Sequence, residues 1–290
     1  WQAGASADHI MIALHARRSA DSIDAWHKAH GNSGLVVALT GTDLYKDLEA
    51  DASAQRSVEQ AQALIVLQDQ APFKLNAALR EKSHVVFQSC SARKTLEKTR
   101  RHLNVVMVGH LRDEKLPGTL MEAAILLKNE PHVRITHIGA ALDESLGQQA
   151  TATMALNKNY QWLGAQDHQL TRKRIQRAHV LVHTSKMEGG AHVVMEAVRS
   201  GTPVLASKMD GNVGMLGVDY PGYFPVGDAK ALAGLLKTVA QHNTERNSSG
   251  LLHTLIQQCL ARAALFAPEH EQQSLFNLLK HLKHHGHAEH

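Results

Sequence analysis

Short, continuous apolar runs alternate along the chain with stretches of helical period. HIMIALH (9–15), LVVALTG (35–41), ALIVLQ (63–68) and HVVFQS (84–89) carry no alternation and predict strands buried on both faces. An amphipathic stretch around 19–30 and LNAALREK (75–82) predict helices between them. A polar, charge-dense segment, SARKTLEKTRRHL (91–103), interrupts the pattern. It then restarts with strands NVVMVGHL (104–111), VRITHIG (133–139), YQWLG (160–164), HVLVHTS (179–185), TPVLAS (202–207) and GYFPVG (222–227). Helices are predicted near 118–128, 142–156 and 167–177, over AHVVMEAVRS (191–200), and from 229 onward. Strand and helix in alternation give parallel sheets covered on both faces, and the basic segment predicts a linker between two doubly wound α/β domains. The division is residues 1–98, residues 99–268, and a C-terminal helix with a His-rich tail over 269–290.

Composition narrows the function. The chain has 290 residues, 43% of them hydrophobic, enough for two cores. Its two cysteines, Cys90 and Cys259, build no disulfide framework and sit in apolar sequence, which predicts buried thiols in a reducing, cytoplasmic setting. No apolar run reaches the roughly 20 residues a spanning helix needs, so no membrane anchor is expected. The formal charge of +4 fits an anionic small substrate or plain solubility, while 4% aromatics argue against a nucleic-acid surface. The tail HLKHHGHAEH (281–290) reads as a solvated end, or as an adventitious metal binder.

Candidate chemistry sits just after the strands, where doubly wound sheets bind ligands. In EGGAHVVMEAVRSGTPVLAS (188–207), Gly189 and Gly190 let backbone approach a ligand, and the helix start at Ala191 favours an anion. Glu196, about two turns on, would reach a ribose diol, and Glu188 the group beyond the phosphates; a plain strand–helix–strand unit with solvated acids is the bland alternative. After the 104–111 strand, Gly109, Arg112 and Lys115 lie in VGHLRDEKLP (108–117), either a phosphate-binding loop or a solvated turn. In the first domain, His15 ends a strand with Arg17 and Arg18 beyond it, and Thr42 and Asp43 follow another in LTGTDLY (39–45). These last two either touch substrate or cap the next helix.

The 188–207 stretch resembles the nucleotide-sugar site of retaining GT-B glycosyltransferases of the GT4 kind, with Glu188 and Glu196 at the positions of that family's paired glutamates. The resemblance implies two Rossmann-like domains facing a cleft, the first on the acceptor side. It puts Arg112 and Lys115 on the donor diphosphate, Leu163 against the nucleobase (or in the core), and a glycine-rich loop near the sugar at GNVGM (211–215). His15 would point at the donor sugar. No metal or other cofactor is implied, and no paired-acid D-x-D signature occurs.

Taken together, ALHARRS, LTGTDLY, VGHLRDEK, MEGGAHVVMEA and GNVGMLGVDYPGYFPVGD look like the selenosugar synthases of selenoneine biosynthesis, a GT4-like branch. That implies transfer from a UDP-sugar, UDP-GlcNAc or UDP-glucose, to selenophosphate, with Arg17, Arg18, Thr42 and Asp43 on the acceptor. The family opens with a strand and a glycine-containing loop, which would stand ahead of Trp1. The alternatives are an ordinary GT4 transferase onto a sugar or small-molecule acceptor, and a nucleotide-sugar-binding protein without turnover.

Overall fold

The structure, a computed structural model, describes residues 1, 8–244 and 249–285. The chain divides into two compact units. The first comprises Trp1–Ser89, Met187–Gly190 and the segment from Pro268; the second comprises Cys90–Lys186 and Ala191–Ala267.

The first unit is a four-stranded parallel sheet in the order β1 (Met11–Leu14), β2 (Leu35–Ala38), β3 (Ala63–Val66), β4 (Ser83–Val85). Its connections are α1 (Ala20–His30), a π-type turn Asp43–Asp47 running into α2 (Leu48–Ala50), α3 (Ala52–Gln60) and the short α4 (Ala77–Glu81). Strand residues alternate between two cores. Leu35, Val37, Leu64 and Val66 pack with Ile23 and Trp26 of α1 and Val58 of α3. Val36, Ala63, Ile65 and Val86 take the other face, where α12 (Pro268–His285) lays Leu278 and Leu282 on them. The C-terminal helix therefore belongs to the first unit's core, although the sequence leaves it as an appendage. Residues 286–290 of the His-rich tail lie outside the described residues.

The second unit is a six-stranded parallel sheet. Its strands are β5 (Leu103–Val108), β6 (Val133–Ile138), β7 (Tyr160–Trp162), β8 (Val180–His183), β9 (Val204–Ser207) and β10 (Tyr223–Phe224). They lie in the order β10-β9-β8-β5-β6-β7. The chain moves one way from β5 through α5 (Pro117–Leu126) and α6 (Glu144–Leu156). After α7 (His168–Arg177) it moves the other way from β8, through α8 (His192–Val198) and α9 (Asp210–Leu216). α10 (Ala229–Thr244) and α11 (Leu251–Arg262) finish the layer. The order reverses where β5 and β8 lie side by side, Val105–Met107 against Val180–Val182. Beyond the carboxyl ends of such a pair a doubly wound sheet opens its binding crevice. The 91–103 segment packs with this unit: Arg93 N donates to the Arg199 carbonyl, and the Lys98 ammonium to the Gly201 carbonyl and Thr202 Oγ1.

Both cysteines are buried thiols, and burial raises the pKa of each, Cys259 to about 11. No helix among the described residues is long and apolar enough to cross a membrane.

Candidate functional site

In the second unit the loops after β5 and β8 are knitted together. Thr184 Oγ1 donates to the Lys115 carbonyl at 2.6 Å, and Lys186 N to the Glu114 carbonyl at 3.0 Å. The Lys186 ammonium pairs with Asp113 at 2.6 Å. Leu116 is held left-handed at φ 43°, so the chain turns sharply before Pro117 opens α5. A non-glycine residue in that region stores strain that the surrounding bonds must hold. Lys115 is half-buried in this turn, and Arg112 is exposed, its Nε 3.8 Å from Glu114 Oε2. Gly139 (φ 155°), ending β6, leans so closely on Gly109 that a Cβ there would strike the Gly109 carbonyl. Leu163 follows β7 half-buried, its N–H on the His137 carbonyl at 2.9 Å.

Glu196 lies in α8, only 4% exposed, and three basic side chains converge on its Oε1. His168 Nε2 is 2.7 Å away, His192 Nδ1 3.4 Å, and Arg172 Nε 3.8 Å. Burial alone would raise the acid's pKa, but hydrogen bonds from His192 and His168 and the charge of Arg172 outweigh it and hold Glu196 below the ordinary glutamate value. The group is an anion among basic side chains, suited to accepting hydrogen bonds from hydroxyls. Of these, only His192 had a sequence signal, since it stands four residues before Glu196 on one helix. Arg172 and His168 come from α7 and carry no local signature.

GNVGM forms the body of α9 and not a loop. Its Asn212 is fully buried, bonded to His183 Nδ1 at 2.9 Å and donating to the Ser207 carbonyl at 2.8 Å. Those bonds tie the ends of β8 and β9 to the helix. Ala191 precedes α8, its N–H on Met215 Sδ at 3.1 Å. α8 itself spans only seven residues, so its own dipole is short.

In the first unit, His15 follows β1 with φ 78°, again a left-handed non-glycine residue, and is 7% exposed. Asp43, fully buried, uses both carboxylate oxygens. Oδ1 lies 2.7 Å from His15 Nδ1 and accepts from Ala16 N at 3.0 Å; Oδ2 accepts from Thr40 N at 2.7 Å and Thr40 Oγ1 at 2.9 Å. Asp43 thus faces inward behind His15. Thr42 beside it is half-buried and makes no cap, so neither residue is a helix N-cap of the usual kind. Arg17 is exposed and reaches Asp47 Oδ2 at 3.1 Å; Arg18 is exposed next to it. Asp47, which the sequence reading passed over, is 4% exposed. Gly189 and Gly41 meet backbone to backbone, and a Cβ on either would collide with the other's amide. Gly190 lies against Leu67, and Glu188 is half-buried.

Residues 91–250, more than half of the chain, match the family described as Glycosyl transferases group 1. The chain belongs to this family. No curated protein sequence matches the chain. Solved structures do. Anabaena HepE in complex with UDP and glucose is 18% identical, with a TM-score of 0.73 over 93% of this chain and 77% of that one. Sucrose-phosphate synthase from Thermosynechococcus elongatus is 17% identical, TM-score 0.73, over 94% and 73%. The trehalose-6-phosphate synthase OtsA is 13% identical, TM-score 0.73, over 94% and 72%. The likeness is one of fold: two parallel α/β sheets in the GT-B architecture, as the strand pattern predicts.

Proposed function

We propose that this group 1 glycosyltransferase takes a UDP-sugar as donor and selenophosphate as acceptor, and makes a 1-seleno sugar. The observation that carries the donor half is Glu196, a buried carboxylate held by His168, His192 and Arg172 in the helix that follows β8. Glu196 accepts the ribose hydroxyls. Arg112 and Lys115 hold the diphosphate, with Gly109 keeping the loop close enough for them to do so. Leu163 lies against the base. The loop at Gly189, Gly190 and Ala191 gives the sugar and its phosphates backbone contact, and Glu188 orients sugar hydroxyls. HepE, a relative in fold, has been solved with UDP and with UDP-glucose, which supports the uridine nucleotide.

The acceptor half rests on the sequence words shared with selenosugar synthases and on two exposed cations, Arg17 and Arg18, suited to a phosphate dianion. His15 and Thr42 lie on the same side of the first unit's sheet as those cations, at the ends of β1 and β2. Selenium attacks the anomeric carbon from the face the UDP vacates. The C–Se bond forms as the C–O bond to the diphosphate breaks, and the electron pair leaves on UDP, where Arg112 and Lys115 stabilise it. Water then cleaves the P–Se bond, giving inorganic phosphate and the selenol sugar. A selenium anion needs little help from a general base, so the demand on this protein is positioning and charge. Incubation of the purified protein with UDP-GlcNAc or UDP-glucose and selenophosphate tests the reading: a selenium-bearing sugar with stoichiometric UDP is expected, and release of UDP without that product would remove the acceptor.

A further inference from the structure

The helix α7, HQLTRKRIQR, carries Arg172, Lys173, Arg174 and Arg177 and no acid. One side of it is covered. Arg172 turns inward to Glu196, Gln169 accepts from Arg93, and Gln176 donates to the Lys94 carbonyl. The other side carries Leu170, Lys173, Arg174 and Arg177, which recur at three and four residues and so share a helix face. That face walls a groove of about 340 Å3, floored by Val106 of β5 and Thr136 of β6. The two strands pair with Asn104 opposite Arg134 and Val106 opposite Thr136. Alternate strand residues share a face, so the exposed Arg134 stands on the groove side. A parallel sheet is normally apolar on both faces; an arginine and a threonine here break that rule. The groove lies toward the amino ends of these strands, away from the crevice at their carboxyl ends.

The charge of this groove is one-sided. Among the described residues, none of Lys173, Arg174, Arg177 and Arg134 forms an ion pair. Glu130, three residues before β6, is drawn off by Lys237 at 3.1 Å. Asp167 caps the far end of α7 and is occupied by the Gln169 and Leu170 amides. Burial, then the charges of Arg134, Arg101 and His132, lower the pKa of His102 against a hydrogen bond with Asn104. Cations in a last helical turn offset the helix dipole, which accounts for Arg174 and Arg177. It does not account for Lys173, which repels Arg177 one turn on, or for Arg134 arriving from a strand. Guanidinium forks match phosphate oxygens two at a time, and the ammonium adds a point charge. We propose that this groove binds a small molecule carrying two or more phosphate charges, a diphosphate or a sugar bisphosphate, on Lys173, Arg174, Arg177 and Arg134. The site belongs to the second unit alone and is separate from the donor assignment.

The test is calorimetric titration of the full chain with inorganic pyrophosphate and with fructose bisphosphate, UDP being present throughout to occupy the donor crevice. Wild type is expected to bind one equivalent that the combined Lys173→Ala, Arg174→Ala, Arg177→Ala variant does not. Arg174→Ala or Arg177→Ala singly should weaken that equivalent about 10-fold, the worth of one charged hydrogen bond. Lys28→Ala, an exposed cation of α1, should leave it unchanged and so control for loss of charge alone. The melting temperature reports that each variant is folded. Should the combined variant fail to fold, Arg134→Ala, on another element, carries the test with the same 10-fold loss. Tighter binding of fructose bisphosphate supports a sugar ester lying across Val106 and Thr136; tighter binding of pyrophosphate supports a bare diphosphate. Equal binding by wild type and the groove variants, or no binding by either probe, overturns the proposal. So does a 20-nucleotide single strand that displaces both probes through the same residues at 10-fold lower concentration, for the occupant is then a nucleic acid. The comparison between wild type and variants holds whether or not UDP binds, so a failed donor reading is told apart from a failure here.

Discussion

His168 Nε2 lies 2.7 Å from Glu196 Oε1, so the carboxylate assigned to the ribose is already held on one oxygen by an exposed imidazole from another helix. That contact, with His192 and Arg172, explains how a glutamate 4% exposed stays charged. It also leaves the second oxygen as the one a ribose diol would meet first.

Replacement of Glu196 by alanine should weaken UDP binding by about 10-fold, the worth of one charged hydrogen bond. His168→Ala should weaken it less, since Arg172 and His192 still hold the carboxylate. Calorimetric titration with UDP checks both; unchanged affinity in the Glu196 variant removes the ribose assignment.

Arg112 and Lys115 are assigned to phosphate and not to the nucleoside. Alanine at either position should lower UDP affinity by about 10-fold and leave uridine affinity unaltered. Equal losses for both ligands would show that the loop after β5, and not its charge, had been disturbed.

His137 is fully buried in β6, its Nδ1 2.9 Å from Tyr160 Oη. Burial lowers its pKa from 6.5 to about 4. Below pH 6.5 the unfolded chain takes up a proton that the folded chain refuses, so the stability this neutral ring contributes is present above pH 6.5 and is lost as pH falls toward 4. Between pH 7 and 4.5 the loss is roughly 2–3 kcal/mol. Urea unfolding at the two pH values should show wild type losing about that much more than His137→Gln; equal losses would contradict it.

Leu278 and Leu282 of α12 cover Val36, Ile65 and Val86 of the first sheet. Leu278→Ala should cost the protein about 2–5 kcal/mol, as other buried leucines do. A change under 1 kcal/mol in chemical denaturation would mean that the helix is not part of this core.

The strands were legible because a strand buried on both faces needs an unbroken apolar run. LVVALTG became Leu35–Ala38 and VRITHIG became Val133–Ile138, each trimmed at the polar end. What stayed hidden depends on contacts between segments distant in sequence. The amphipathic period of α12 does not name the sheet it covers. GNVGM reads as a loop because two glycines hide a helix held by Asn212 bonding to His183. Asp43 and His15 were each visible as a residue after a strand, yet only the fold pairs them at 2.7 Å. Asp47, in a turn of no marked pattern, gave no signal at all.

The most direct measurement is mass spectrometry of the purified protein incubated with a UDP-sugar and selenophosphate, beside phosphate and thiophosphate controls. The account predicts a selenium-bearing sugar and an equal amount of UDP, formed with selenophosphate and not with phosphate. UDP bound and released with no selenium in any sugar would contradict it, leaving a group 1 glycosyltransferase with a different acceptor.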